Sequence, residues 1–252
     1  MSDISDPASP RLDPSVSAKS RFGCGFYTVL AGIFLVIIAL ILPAVYRSAP
    51  DAARRMQCKI NLHNIGLALW NYADAYHALP PAYTIDANGR PLHSWRTLLL
   101  PYLDQKPLYD SIDLTRPWND PVNAKAYQTR IAVYRCPAFG GPATQTTYMA
   151  LAAPGSCFLP SESRLPSDIT DGTSNTLMVI EVPIDRAVHW MSPFDANERL
   201  ILEIAEDSKL AHAGGVNALF CDGTVRFLSA RTSKETRRAL ITVAGGDRVE
   251  EF

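Results

Sequence analysis

Chemistry in this chain would have to start from its histidines, cysteines and carboxylates, and few of them stand at a working spacing. His212 is followed, after nine residues, by Asp222-Gly223. A catalytic reading makes His212 a general base that Asp222 orients. A structural reading makes Asp222-Gly223 a type I′ hairpin turn, with His212 pinning the chain beside Gly214-Gly215. The structural reading is the expectation, because apolar runs flank the dipeptide on both sides: VNALF (Val216 to Phe220) and VRFL (Val225 to Leu228). Asp171-Gly172 precedes TLMVIEV (Thr176 to Val182) in the same way, so Thr173, Ser174 and Asn175 read as a polar turn. A serine nucleophile calls for a sharp G-x-S-x-G turn, and zinc hydrolysis or nucleotide binding for HExxH, a P-loop or GxGxxG; the sequence has none of these. No catalytic residue and no cofactor is expected.

Metal ligands are equally sparse as a pattern. Cys24, Cys58, Cys136, Cys157 and Cys221 include no CxxC pair, so nothing in their spacing signals zinc or redox chemistry. Asp168 and Asp171 sketch a calcium loop, but two carboxylates without a fixed template are ordinarily solvated turn residues. No metal site is expected. The odd cysteine count leaves at least one thiol unpaired within a monomer. Outside the cytoplasm, Cys136 and Cys157 are the candidate disulfide, since they flank a Pro/Gly-rich stretch; buried free thiols are an equal reading.

The elements that must position these residues are legible in outline. At 47% hydrophobic and 19% charged residues, the 252-residue chain can build a packed core. A net charge of −1 provides no field for nucleic acid. Residues 1–22, with six serines, three prolines and three aspartates, read as a disordered tail. Phe26 to Val45 (FYTVLAGIFLVIIALILPAV) is uncharged and would extend about 30 Å as a helix, so residues 23–46 are expected to form a retained transmembrane helix. Basic residues lie on both sides of it and do not decide its orientation. Pro50 then breaks the chain, and Asp51 caps a second, amphipathic helix. Its stripe, Cys58, Leu62, Ile65, Leu69, Tyr72, Tyr76 and Leu79, advances in alternating steps of four and three and lies on one face. Beyond Pro80-Pro81 come short segments and glycine turns, then a capping box, Thr232-x-x-Glu235, before a last short helix. The expected fold is α+β: a transmembrane helix, then a long amphipathic helix packed on a mostly antiparallel sheet in a domain over residues 51–252.

Five segments in this order resemble one family: RRMQCKINLHNIGLALWNYADAYHALPPAY, SWRTLLLPYLDQKPLYDSIDLTRPWNDPVN, YRCPA, ITDGTSNTLMVIE and HAGGVNALFCDGTVRFLS. They are similar to the prepilin-like family called domain of unknown function 1559, with its C-terminal His-x9-Asp-Gly motif. The resemblance implies a pilin-like architecture in the cytoplasmic (inner) membrane, with the tail of residues 1–22 in the cytoplasm and the domain extracytoplasmic. It also implies cleavage by a prepilin peptidase between Gly25 and Phe26. The fifth residue after that junction is Leu30, where family members usually carry Glu, so normal processing and filament assembly are not expected. The implied function is a membrane-anchored, non-enzymatic, pseudopilin-like structural protein of the cell envelope, related to type II secretion. Its implied partners are the lipid bilayer and other pseudopilin-like subunits or secretion-system components, with no nucleic acid. The alternative is a membrane-tethered extracytoplasmic domain that binds or senses a ligand.

Overall fold

The computed structural model describes residues 24–247 and, within its first helix, the side chains of residues 27, 29–39 and 50–76. The expected tail, residues 1–22, and the side chains at the expected cleavage junction, Gly25 and Phe26, lie outside the described residues. The chain divides into two units between Ser48 and Ala49.

Helix α1 (Cys24–Tyr76) supplies the described part of the first unit and opens the second. This corrects the expected transmembrane helix: among the described residues, no helix is long and apolar enough to cross a membrane. The expectation broke the chain at Pro50 and started a second helix at Asp51. The backbone is instead helical through Pro43 and Pro50 and runs on, as one element, past Asp51, Arg54, Arg55 and Lys59.

In the second unit the chain continues through β1 (Tyr83–Ile85), β2 (Pro91–Ser94), α2 (Trp95–Leu98), α3 (Lys106–Tyr109) and α4 (Ala124–Tyr127). Then come β3 (Gln145–Thr146), β4 (Tyr148–Ala150), β5 (Leu177–Glu181), β6 (Val188–His189), α5 (Glu198–Leu202), β7 (Gly215–Phe220), β8 (Val225–Ser229) and α6 (Lys234–Ile241). Strands β4, β5, β7 and β8 form an antiparallel sheet in the order β4-β5-β7-β8. The α+β, largely antiparallel part of the expectation therefore holds, while its transmembrane helix does not.

The alternation of side chains along a strand divides the core in two. On one face, Tyr148, Ala150, Val179, Leu219 and Cys221 pack with Cys58, Leu62, Ile65 and Leu69 of α1. On the other, Met149, Ile180, Val216, Ala218 and Phe220 pack with Ile201 of α5 and Leu240 of α6. The helical stripe is buried as far as Leu69, and Tyr72 is half-buried. Tyr76 ends the helix exposed, its ring tilted against Tyr72 with centroids 4.4 Å apart, and His77 leaves the helix at a φ of 56°. Close approach of α1 to the sheet depends on Gly66, where a Cβ would stand 2.9 Å from Leu219 Cδ1. Four residues on, Trp70 Nε1 donates to the Cys221 carbonyl at 3.0 Å.

The hairpin β7–β8 closes as expected around Asp222-Gly223, but not as a type I′ turn. Gly223 alone has positive φ (81°), and the Asp222 carboxylate instead accepts from the Thr224 N–H at 2.9 Å. The last helix is capped one residue later than expected: Ser233 Oγ, not Thr232, accepts from the Thr236 N–H at 3.0 Å.

Two buried arginines hold the short elements in place. Arg96, at the start of α2, is fully buried and sets Nη2 2.7 Å from Asp195 Oδ1. Asp195 also accepts from Trp95 Nε1 (3.1 Å) and from the Ala150 N–H (2.9 Å). Burial pushes its carboxyl up to about 6, although Arg96 and the two N–H donors hold it down. Arg237 of α6 donates to the carbonyls of Ile201, Ile204, Ser229 and Ala230 and so ties α5 to the end of β8. Replacing Arg96 with Met leaves Asp195 buried without its cation. We expect a loss of about 3–5 kcal/mol in denaturant-unfolding free energy, with part of it recovered in the double variant Arg96→Met/Asp195→Leu.

Candidate functional site

Strand periodicity places a carboxylate in the apolar layer between α1 and the sheet. In β5, Val179 points toward α1, so Glu181, two residues on, shares that face; Asn217 shares the corresponding face of β7 with Leu219. Glu181 is only 1% exposed. Its Oε2 accepts from the Asn217 backbone N–H at 3.0 Å and from Asn217 Nδ2 at 2.6 Å. Its Oε1 has no hydrogen-bond partner and stands 3.5 Å from His212 Nε2.

Three more side chains close on this oxygen. Cys58 comes from the buried stripe of α1. Cys136 follows a single helical turn, Ala132–Tyr134, and is held beside α1 by Asn61 Nδ2, which donates to the Arg135 carbonyl at 2.9 Å. His212 sits just ahead of β7, in a bridge to Gly215. Cys136 Sγ lies 2.6 Å from Cys58 Sγ and 3.6 Å from His212 Nε2. One donor atom from each of Cys58, Cys136, Glu181 and His212 falls within 4.8 Å of all the others, and none of the four residues is more than 7% exposed.

The electrostatics follow from this crowding. The Cys58 thiol and the His212 ring together outweigh burial and hold Cys136 down to about 7. Cys58 moves the other way, pushed up by its hydrogen bond to Cys136 and by burial. Burial pulls His212 down, but Cys136 and Glu181 overcome it and raise the ring to about 9. Two sulfurs, an imidazole nitrogen and a carboxylate oxygen on one point can hold a cation, or share protons as a thiolate–imidazolium–carboxylate group.

The residues singled out in the sequence go to different places. His212 joins this cluster; Asp222 does not. Asp222 accepts from Thr224 Oγ1 at 2.6 Å and lies 3.5 Å from Arg226 Nη2 at the far end of β7. Gly223 supplies the positive φ of that turn. Asp171 pins the end of the described chain: its carboxylate accepts from Thr242 Oγ1 (3.0 Å) and from the N–H groups of Gly245 (2.7 Å) and Gly246 (2.8 Å), while Gly172 turns at a φ of 95°. Asp168 lies beside Arg164, 3.6 Å away. Cys136 and Cys157 are in separate pairs: Cys136 with Cys58, and Cys157 with Cys221 at 3.3 Å, all four buried as free thiols. Sequence reasoning did not find the four-donor cluster, because each segment contributes a single ligand. The available signal was that Cys58, Cys136, Glu181 and His212 each lie inside a different one of the segments that carry the family resemblance.

Residues 47–157 match the family model described as "Protein of unknown function (DUF1559)". That stretch contains Cys58 and Cys136 and ends before Glu181 and His212. Neither a curated protein nor a solved structure was found to match the chain.

Two measurements check these placements. His212→Ala removes the one basic side chain beside the Glu181 carboxylate and should cost about 3–5 kcal/mol of unfolding free energy. Asp222→Ala loses only turn hydrogen bonds and should cost about 1 kcal/mol; equal losses would mean that the two residues act as a unit. Burial raises the Asp171 carboxyl, but the N–H groups of Gly246 and Gly245 and the Thr242 hydroxyl bring it below its ordinary value. Its contribution is therefore complete above the unfolded-chain pKa of about 4 and is lost as pH falls through the lower folded value. Amide exchange at Gly245 and Gly246, after correction for the intrinsic rate, should accelerate across that acid window, and Asp171→Asn should show the fast rate at neutral pH.

Proposed function

We propose that the chain is a non-enzymatic, pseudopilin-like structural subunit of the cell envelope that assembles with other copies through its N-terminal helix. One observation carries this reading. Val29, Leu30 and the run Ile33 to Ile37, all apolar, are between 46% and 65% exposed. An uncovered apolar surface of this length is the mark of an interaction site, since water is a poor neighbour for it. The second unit adds support. Met56 and Ile60, on the exposed side of α1, are 58% and 44% exposed and line a groove of about 410 Å³ with His63, Gly223 and Val225 at the edge of the sheet. A long helix laid on an antiparallel sheet is also the architecture that the sequence resemblance implies. The cluster of Cys58, Cys136, Glu181 and His212 is closed to solvent and fits a role in holding the fold better than turnover of a substrate.

The test is site-specific photocrosslinking in cells that produce the full chain. A photoreactive phenylalanine in place of Phe34 should yield a crosslinked dimer of this chain, whereas one in place of Phe194, 68% exposed in the second unit, should not. Products at Phe34 that contain no second copy of the chain would sink the proposal.

A further inference from the structure

We propose that Cys58, Cys136, Glu181 and His212 bind one divalent metal ion of the zinc class, in a closed four-ligand site that fastens α1 to the sheet. The inference does not depend on the assembly reading above. Around a tetrahedral zinc, with sulfur at about 2.3 Å and nitrogen or oxygen at about 2.0–2.2 Å, neighbouring ligand atoms stand roughly 3.3–3.8 Å apart. Here Cys136 Sγ to His212 Nε2 is 3.6 Å and His212 Nε2 to Glu181 Oε1 is 3.5 Å. The two sulfurs, 2.6 Å apart, would have to part by about 1 Å.

The carboxylate is the stronger argument. Glu181 Oε1 is buried without a hydrogen-bond donor while Oε2 receives two, so the free oxygen is aimed at the cluster by the bonds that fix its partner. A buried acceptor left in that state is costly, and a cation at the centre of the four donors removes the cost. The outer contacts are those of a ligand set. Asn217 orients the carboxylate, and Asn61 donates to the Arg135 carbonyl next to Cys136. Soft thiolates with an imidazole and a carboxylate select zinc-class ions over calcium or magnesium. On binding, both cysteines ligate as thiolates and His212 as a neutral imidazole, the protons they held passing to solvent, and the ion offsets two of the three negative charges of the thiolates and the carboxylate. With all four ligands from the protein and none more than 7% exposed, the site leaves no open position for a substrate. Cys157 and Cys221 form an internal contrast: a buried thiol pair 3.3 Å apart that the four-donor set does not include.

The full chain, purified anaerobically without chelator, is analysed for metal content by mass spectrometry and for disulfides by peptide mapping. We expect about one zinc per chain, its loss in Cys136→Ser and Glu181→Gln, and its retention in Cys157→Ser. A Cys58–Cys136 disulfide in metal-free protein, or zinc retained undiminished in Cys136→Ser, overturns the proposal. Because the ligand variants can also fail to fold, wild-type protein is stripped of metal and titrated with cobalt(II). Sulfur-to-cobalt charge-transfer bands with the visible bands of a tetrahedral ion, saturating at one equivalent, are expected. Cobalt binding without sulfur bands, or no binding, overturns it.

Discussion

A carboxylate lies where the packing of this fold calls for an apolar side chain. Glu181 occupies an inward position of β5, in the layer where α1 lies on the sheet, and is 1% exposed. An ionised carboxylate in such a place costs several kcal/mol unless charge and hydrogen bonds meet it there. The parts that meet it come from far apart in the chain: Asn217 from β7, His212 from the turn before it, Cys136 from the loop after residue 134 and Cys58 from α1. They converge only when α1, the β7 turn and the Cys136 loop are all in place. The cluster thereby couples the closing of α1 over the sheet to the formation of the β7 turn and the Cys136 loop.

Buried charge recurs at the other joints of the second unit, and the lengths of its elements explain why. Helices α2, α3 and α4 have four residues each, too few to be stable by their own hydrogen bonds. Arg96 anchors the first of them through Asp195 and the carbonyls of Tyr148 and Phe194. Arg237 holds α5 and α6 together by donating to four carbonyls that end other elements. Long planar guanidinium groups can reach several loop carbonyls at once, which a methylene core of the same volume cannot. Specificity at these joints comes from a few polar contacts, while the bulk of the stability comes from the two apolar layers on either side of the sheet.

What could be read from the sequence was what short stretches decide by themselves. The α1 stripe from Cys58 to Leu69, the strands after Asp171-Gly172 and the hairpin about Asp222-Gly223 are each fixed by a periodicity or a turn residue within a dozen positions. Proline misled at residue 50, where a local rule predicts a break and the helix continues. The four-donor cluster was out of reach for a different reason. Its ligands lie 78 (Cys58 to Cys136), 45 (Cys136 to Glu181) and 31 residues apart (Glu181 to His212), one per segment, so no ligand spacing exists to be recognised. Glu181 in particular reads as the last polar residue of an apolar strand; only the pairing of β5 between β4 and β7 turns it inward. The same distance effect hid the cysteine partners, since loop composition favoured Cys136 with Cys157 while the fold brings each to a thiol on another element.

The His-x9-Asp-Gly spacing takes a simple meaning from these positions. Six residues of β7 rise about 20 Å, so His212, just before the strand, and Asp222, just after it, are held at its opposite ends. A catalytic dyad would need them within hydrogen-bond reach, and a fully paired central strand between them prevents it. The nine residues measure one strand and its entry: His212 must reach the buried cluster from one end while Asp222-Gly223 turns the chain into β8 at the other. An insertion or deletion within β7 would break the cluster or the hairpin even if every residue of the motif were kept, because a shift of one position also turns Asn217 away from Glu181 and to the opposite face of the sheet.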